Sequence, residues 1–376
     1  VTVLVAPDKF KDALDAEAVC AAMTAGIRRA RFAAVVAACP LADGGEGTGR
    51  LLARATGADA CTLEVRDPRV RPRQATWWCN AVRGQAIVEM AQASGLSLLA
   101  PAERSALHTT SFGTGELLHA AAESGVRHIL LAVGGSATVD GGAGCLQALG
   151  WELRDAAGQT IPAPACGRDL LRIASIHPPD APFSAEIDVL CDVENTLLGP
   201  LGAAPVFAPQ KGATPAEVDE LVRGLEKWAD VLAAGTGREV RVLAGSGAAG
   251  GLPAGLAAAL GARAGPGLPR VADAVGLNRM LASADLCLTG EGRIDDQTVR
   301  GKVVAGVAER ALTRSVPVVA FVGSVRLRPG QTRAELASRM RLRDIIVISP
   351  PDQPLDQALL ATAANLEQAV AEYLSG

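Results

Sequence analysis

Residues 129–149 read ILLAVGGSATVDGGAGCLQAL, and this stretch decides the fold. The apolar run Ile129–Val133 has the unbroken hydrophobicity of a strand covered on both faces. It feeds a glycine-rich turn carrying Ser136, Thr138 and Asp140, and a helix-like run, Cys145–Leu149, follows. Strand, small-residue loop and helix in that order are how α/β proteins present backbone N–H groups to phosphate. No Lys-Ser or Lys-Thr pair closes the turn, so it is not a Walker loop. The same glycines would also serve a close helix–strand crossing.

Outward from this unit, similar apolar runs recur at Val1–Ala6, Leu286–Thr289, Val316–Val322 and Ile345–Ile348, with a weaker one at Ala34–Cys39. Helical spacing marks Ala16–Ala30 with Asp15 as N-cap, Glu116–Ser124 ending at Gly125, Val303–Leu312 and Pro354–Leu374. Alternating strands and helices predict α/β layers with sites at the C-terminal ends of strands. The middle reads differently. Thr62–Arg66 and Gln74–Cys79 form a hairpin pattern, and Trp151–Arg154, Ile187–Cys191 and Glu239–Leu243 add extended pieces. The expectation is two α/β domains, with a ligand in the cleft between them. The first spans 1–60, 106–150 and 276–376, and the second, with a mixed sheet, spans 61–105 and 151–275.

Hydrophobic residues make up 49% and charged residues 20% of the 376, which places the chain among globular proteins. Aromatics at 3% argue against base-stacking surfaces, and a net charge of −4 without a basic field argues against nucleic acid. No apolar run reaches the length of a bilayer span, and VTVLVAPDKF reads as a first strand without a basic leader. The eight cysteines contain no CxxC and the four histidines do not cluster, so reduced thiols in a cytoplasmic protein are expected.

Several short motifs carry chemistry. Asp8 and Lys9 stand at the end of the first strand, where a crevice ligand would meet them. Asp43-Gly44-Gly45-Glu46 offers two acids for a hard cation, or a tight turn and helix cap. Asp192 and Asn195 follow an apolar run, and an aspartate there suits a general base or a buried cap. Lys211 lies beside a glycine turn, fit for a phosphate or carboxylate. Gly245, Gly247 and Gly250 satisfy GxGxxG, but the acidic residue expected about 20 positions on is missing. Gly290, Glu291, Arg293 and Asp295 crowd a strand end, a density of charge that is costly unless it binds something.

In this order, the segments APDKFK (6–11), PLADGGEGT (40–48), TSFGTGELL (110–118), GGSATVDGGAG (134–144), CDVEN (191–195), FAPQKGA (207–213), GSGAAGGL (245–252) and LTGEGRIDDQT (288–298) resemble the glycerate kinase type 1 family over nearly the whole chain. The resemblance implies transfer of the γ-phosphoryl group of ATP to D-glycerate with Mg²⁺, the 2-hydroxyl being preferred. It implies one flavodoxin-like domain with a Rossmann-like parallel sheet, and one resembling a restriction-endonuclease core. The expected catalytic groups are Asp192, Lys9 and Arg293. Asp8, Asn195, Lys211 and Arg293 are expected to hold substrate. Gly134, Gly135, Ser136, Thr138, Gly245, Gly247, Gly290 and Glu291 are expected to hold the nucleotide. Asp43, Glu46, Asp140 and Asp295 are expected to carry Mg²⁺. No nucleic-acid or membrane partner is expected, and the chain is expected to act as a monomer or homodimer. The competing readings are an NAD-dependent oxidoreductase on a small hydroxy acid, from the 245–250 glycines, and a non-catalytic sugar-acid binding protein.

Overall fold

The computed structural model describes residues 1–294 and 302–376. In chain order the strands are β1 (Thr2–Val5), β2 (Val35–Ala38), β3 (Asp59–Arg66), β4 (Pro72–Asn80), β5 (Gln85–Glu89), β6 (His128–Ala132), β7 (Glu152–Asp155), β8 (Ile173–His177), β9 (Glu186–Leu190), β10 (Arg263–Gly265), β11 (Leu286–Ile294), β12 (Val318–Val325) and β13 (Asp344–Val347). The chain divides into two compact units, Val1–Asp43 with Leu268–Gly376, and Gly44–Gly267.

The first unit holds a five-stranded sheet in the order β13-β12-β11-β1-β2, parallel throughout. Numbered within the unit, this is the 2-1-3-4-5 order of flavodoxin-like sheets, whose ligand crevice opens where the order reverses, here between β1 and β11. Val3, Leu4 and Val5 are fully buried, as a central parallel strand requires. The helix Ala16–Arg29 covers one face and begins where predicted: the Asp15 carboxylate accepts the Ala18 N–H at 2.8 Å. The expected C-terminal helix is instead two, Leu355–Leu360 and Thr362–Ser375. The core here joins Val3, Val5, Met23, Ile27, Phe321 and Leu366.

The second unit holds a six-stranded sheet in the order β10-β9-β6-β5-β4-β3. β10, β9, β6 and β5 are parallel, and the β3–β4 hairpin adds antiparallel strands, giving a mixed sheet. Here two sequence expectations are corrected. β6 pairs with β5 and β9, so residues 106–150 belong with the mixed sheet and not with the first unit. A strand buried on both faces says nothing about which sheet owns it, since its side chains are apolar either way. Residues 239–243 form no strand; they are irregular chain and turn, and Val242 is 81% exposed. The longest helix, Pro215–Thr236, went unpredicted, although Thr214 and Glu217 make a reciprocal capping box and Leu221, Leu225, Trp228 and Leu232 mark its buried stripe.

Among the described residues no helix is long and apolar enough to cross a membrane, and the eight cysteines are free.

Candidate active site

In the first unit the chemistry gathers at the switch point. The Asp8 N–H donates to Gly290 O at 2.9 Å and the Leu41 N–H to Pro7 O at 2.9 Å, so the segment after β1 runs between the end of β11 and the segment after β2. This places Asp8 within electrostatic reach of both Asp43 and Glu291. Asp8 is buried, and its carboxyl is held well above the usual range. Burial is the largest cause; the charge of Asp43 adds to it, and Glu291 adds a smaller share. The Lys9 N–H, 2.7 Å from Asp8 Oδ1, and the Lys9 ammonium pull the other way. Gly290 is glycine for packing: a Cβ there would fall 2.3 Å from Phe321 O on β12. Arg293 is exposed, across from Ser324 in the ladder.

In the second unit the loops after β6 and β9 lie side by side because these strands are parallel neighbours. Gly134 donates its N–H to Gly44 O at 3.1 Å, and a Cβ on Gly134 would lie 2.4 Å from the Gly45 Cα. The 44–48 segment is thereby locked to the 134–138 loop, with Glu46 exposed and accepting from Ser97 Oγ at 3.4 Å. Lys211 enters this loop from below. Its buried ammonium donates to Ser136 Oγ and to Thr138 O, each at 2.8 Å. Desolvation lowers its pKa from the ordinary 10.5 to about 7, and the Asp140 charge opposes that shift. The Thr138 hydroxyl is buried and has no hydrogen-bond partner among the described residues. An uncommitted hydroxyl on this loop and a cation bonded to it suit a carboxylate or phosphate ligand. Asp192, half-buried at the end of β9, is fixed through Oδ1 by the Gly267 N–H at 2.9 Å.

Other expected site residues turn out to build the scaffold. Asp140 is fully buried; its Oδ2 accepts Ser111 N–H and Oγ–H, both at 2.7 Å, and its Oδ1 accepts Gly142 N–H at 3.1 Å. Its carboxylate faces these donors, which argues against the expected metal-ligand role, and Ser111 is a partner the sequence reading passed over. The Asn195 amide donates to Leu201 O at 2.7 Å, closing its own loop. Gly134 and Gly247 spend their N–H groups on Gly44 O and Asn195 O, so neither is free to cradle a phosphate. The 245–251 glycines are packing devices. A Cβ at Gly247 would meet Thr196 O at 2.2 Å, and one at Gly250 would meet Thr138 O at 2.0 Å. Gly245 lies in the left-handed region, with φ +78°, close to the Cys191 sulfur. The loop follows a turn and not a strand, which removes the structural context the oxidoreductase alternative needed. Gly135, also left-handed at φ +74°, carries Glu46 and Ala91 against its open side. Asp295 lies outside the described residues.

Among the described residues no group of three or more His, Cys, Asp or Glu converges to hold a metal ion by itself.

The sequence pattern of the glycerate kinase family matches residues 3–375. The chain belongs to the glycerate kinase family. A glycerate kinase of Halalkalibacterium halodurans is 39% identical over 370 residues, covering 98% of this chain and 96% of that one. The glycerate 2-kinase of Escherichia coli is 40% identical over 324 residues, covering 86% and 85%. The crystal structure of a protein assigned as glycerate kinase 2 from Salmonella typhimurium LT2 superposes with a TM-score of 0.79 at 39% identity, covering 100% of this chain and 96% of that one. As a member of this family the protein is an enzyme, a kinase of glycerate, and the sequence resemblance is confirmed.

Proposed function

We propose that the protein transfers the γ-phosphoryl group of ATP, as its Mg²⁺ complex, to the 2-hydroxyl of D-glycerate. The observation that carries this reading is Lys211: a buried ammonium anchored to Ser136 and Thr138, in the same unit as Asp192. In this reading Lys211 and the free Thr138 hydroxyl neutralise and orient the carboxylate of glycerate. Asp192 is the base that accepts the proton of the attacking hydroxyl, held in place by the Gly267 N–H. Holding the acceptor in a fixed geometry removes entropy from the barrier, which is most of what phosphoryl transfer asks of a protein.

Mg²⁺ is commonly held by one or two carboxylates together with phosphate oxygens, not by a protein cage. Asp8, Asp43 and Glu291 fit that pattern: Asp8 is repelled by both of the others, and a cation would relieve this. Bound there, the cation would neutralise charge on the transferring phosphate. Lys9 and Arg293 are the cations of that unit assigned to the phosphates. The preference for the 2-hydroxyl draws on the name of the Escherichia coli relative. Eight free cysteines are in keeping with a reducing, cytoplasmic setting.

A coupled assay for ADP with D-glycerate tests the activity, and phosphorus NMR of the product tests the position. Phosphate on C2 couples to one carbinol proton and gives a doublet; on C3 it couples to two and gives a triplet. A doublet is expected. Asp192→Asn should lower kcat by about 100-fold or more while the protein melts as the parent does. A triplet would move the transfer to the 3-hydroxyl, and near-parental turnover in the variant would remove Asp192 from the base role.

A further inference from the structure

A cavity of about 580 Å³ opens at the C-terminal edge of the parallel sheet in the first unit. We propose that it holds the adenosine moiety of ATP, an inference that rests on the ATP-dependent reading above. The size lies in the range of small-ligand pockets, and the carboxyl edge of a doubly wound sheet is where such folds take their ligands.

The strand ladder ties the cavity to the acids. Its floor is β12 from Gly323 to Val325, and the register sets Val322 opposite Glu291 and Ser324 opposite Arg293. The cavity and the carboxylate cluster thus belong to neighbouring strands of one sheet edge. Gly323 lets β12 approach β11 here, because a Cβ would sit 2.5 Å from Gly292 O.

The lining matches a flat heterocycle with few polar groups. Leu327, Val347, Pro350 and Leu355 give it aliphatic walls. Leu327 is 40% and Leu355 74% exposed, so apolar surface stands in water that a ring would cover. Gln353 supplies the reading group. Its Oε1 accepts from Asn365 Nδ2 at 3.0 Å, which leaves its NH₂ as the end offered to a ligand. That end donates, and it matches the N1 acceptor of adenine and opposes the N1–H donor of guanine. Arg333 is the charged side chain in the lining, and it is complementary to a polyphosphate.

Two variants test this. Ser349→Trp fills the cavity from a half-buried position. It should raise KM for ATP about tenfold or more and leave KM for glycerate within about twofold. Gln353→Glu keeps the acceptor for Asn365 and replaces the donor by an acceptor. It should lower the ATP over GTP ratio of kcat/KM by about tenfold. A Ser349→Trp protein that melts like the parent with unchanged KM for ATP overturns the assignment. If that variant does not fold, an unchanged ATP over GTP ratio in Gln353→Glu overturns it instead. Should the parent make no ADP from ATP and glycerate, the kinase reading fails and adenosine itself becomes the probe. Hydrogen-exchange protection of residues 347–358 by adenosine would then support the cavity, and protection absent there would sink it.

Discussion

Lys211 keeps an ammonium buried away from bulk solvent, and its two acceptors, Ser136 Oγ and Thr138 O, only partly replace the hydration it has in the unfolded chain. In the unfolded chain the amine titrates near 10.5, and in the fold near 7. Between those values the unfolded chain holds the extra proton, so stability rises with pH from about 7 to about 10. Below about pH 7 the cost of the buried charge is fully present. Lys211→Met should therefore flatten the climb of Tm between about pH 7 and pH 10 relative to the parent, as scanning calorimetry would show. An identical pH dependence in both proteins would mean the amine is solvated. Asp8 poses the opposite case, a carboxyl pushed up by burial, Asp43 and Glu291. Asp8→Asn removes that repulsion and should raise Tm by a few degrees while kcat falls, a trade of function against stability. A lower Tm in that variant would show that the Asp8 charge helps the fold.

Among elements, the loops carry the site and the glycines carry the loops. Gly250 takes φ +71° with Thr138 O where a Cβ would stand, whereas Gly158, at φ +76°, faces open space. Both pay for a left-handed backbone when changed to alanine, but only Gly250→Ala also displaces the carbonyl that Lys211 binds. Urea unfolding should show a loss of about 2–3 kcal/mol for Gly250→Ala and about 1 kcal/mol for Gly158→Ala. Equal losses would leave packing without a role. The sequence revealed these glycines but not their purpose. GxGxxG looks the same whether the loop approaches a phosphate or another backbone, and only the missing strand before Gly245 distinguishes the two. The Asp15 cap was legible because capping is local. The role of Asp140 was not, because its partner Ser111 lies 29 residues away. Lys211 could be singled out by type and neighbourhood, yet its partners Ser136 and Thr138 lie 75 and 73 residues away in sequence. Glu239–Leu243 misled because Val240 and Val242 have strand-like side chains while no strand among the described residues pairs with them.

For the molecule as a whole, the decisive fact is that Gly44–Gly267 is one uninterrupted stretch with its own core, around Leu117, Ile129, Leu131, Leu225 and Trp228. The other unit is assembled from both ends of the chain. Expressed alone, residues 44–267 should give a single cooperative urea transition, monitored by tryptophan fluorescence, all four tryptophans lying in this stretch. A gradual transition would show that this core needs the remainder of the chain. The composition and strand runs announced two α/β bodies, but not the seam, because no change in composition marks Asp43 or Gly267. Strand pairing across the insertion has a further consequence, in time. β1 lies between β2 and β11, and Ala6 bonds Leu288 across an interval that includes the entire second unit. At about 5–20 residues per second, the ribosome spends on the order of 12–50 s between making β2 and making β11. Throughout that interval one edge of an apolar strand waits unpaired, the state most open to wrong partners. The nascent chain is thus most exposed to aggregation and chaperone capture while the inserted body folds, and this exposure ends when Leu286–Ile294 emerges.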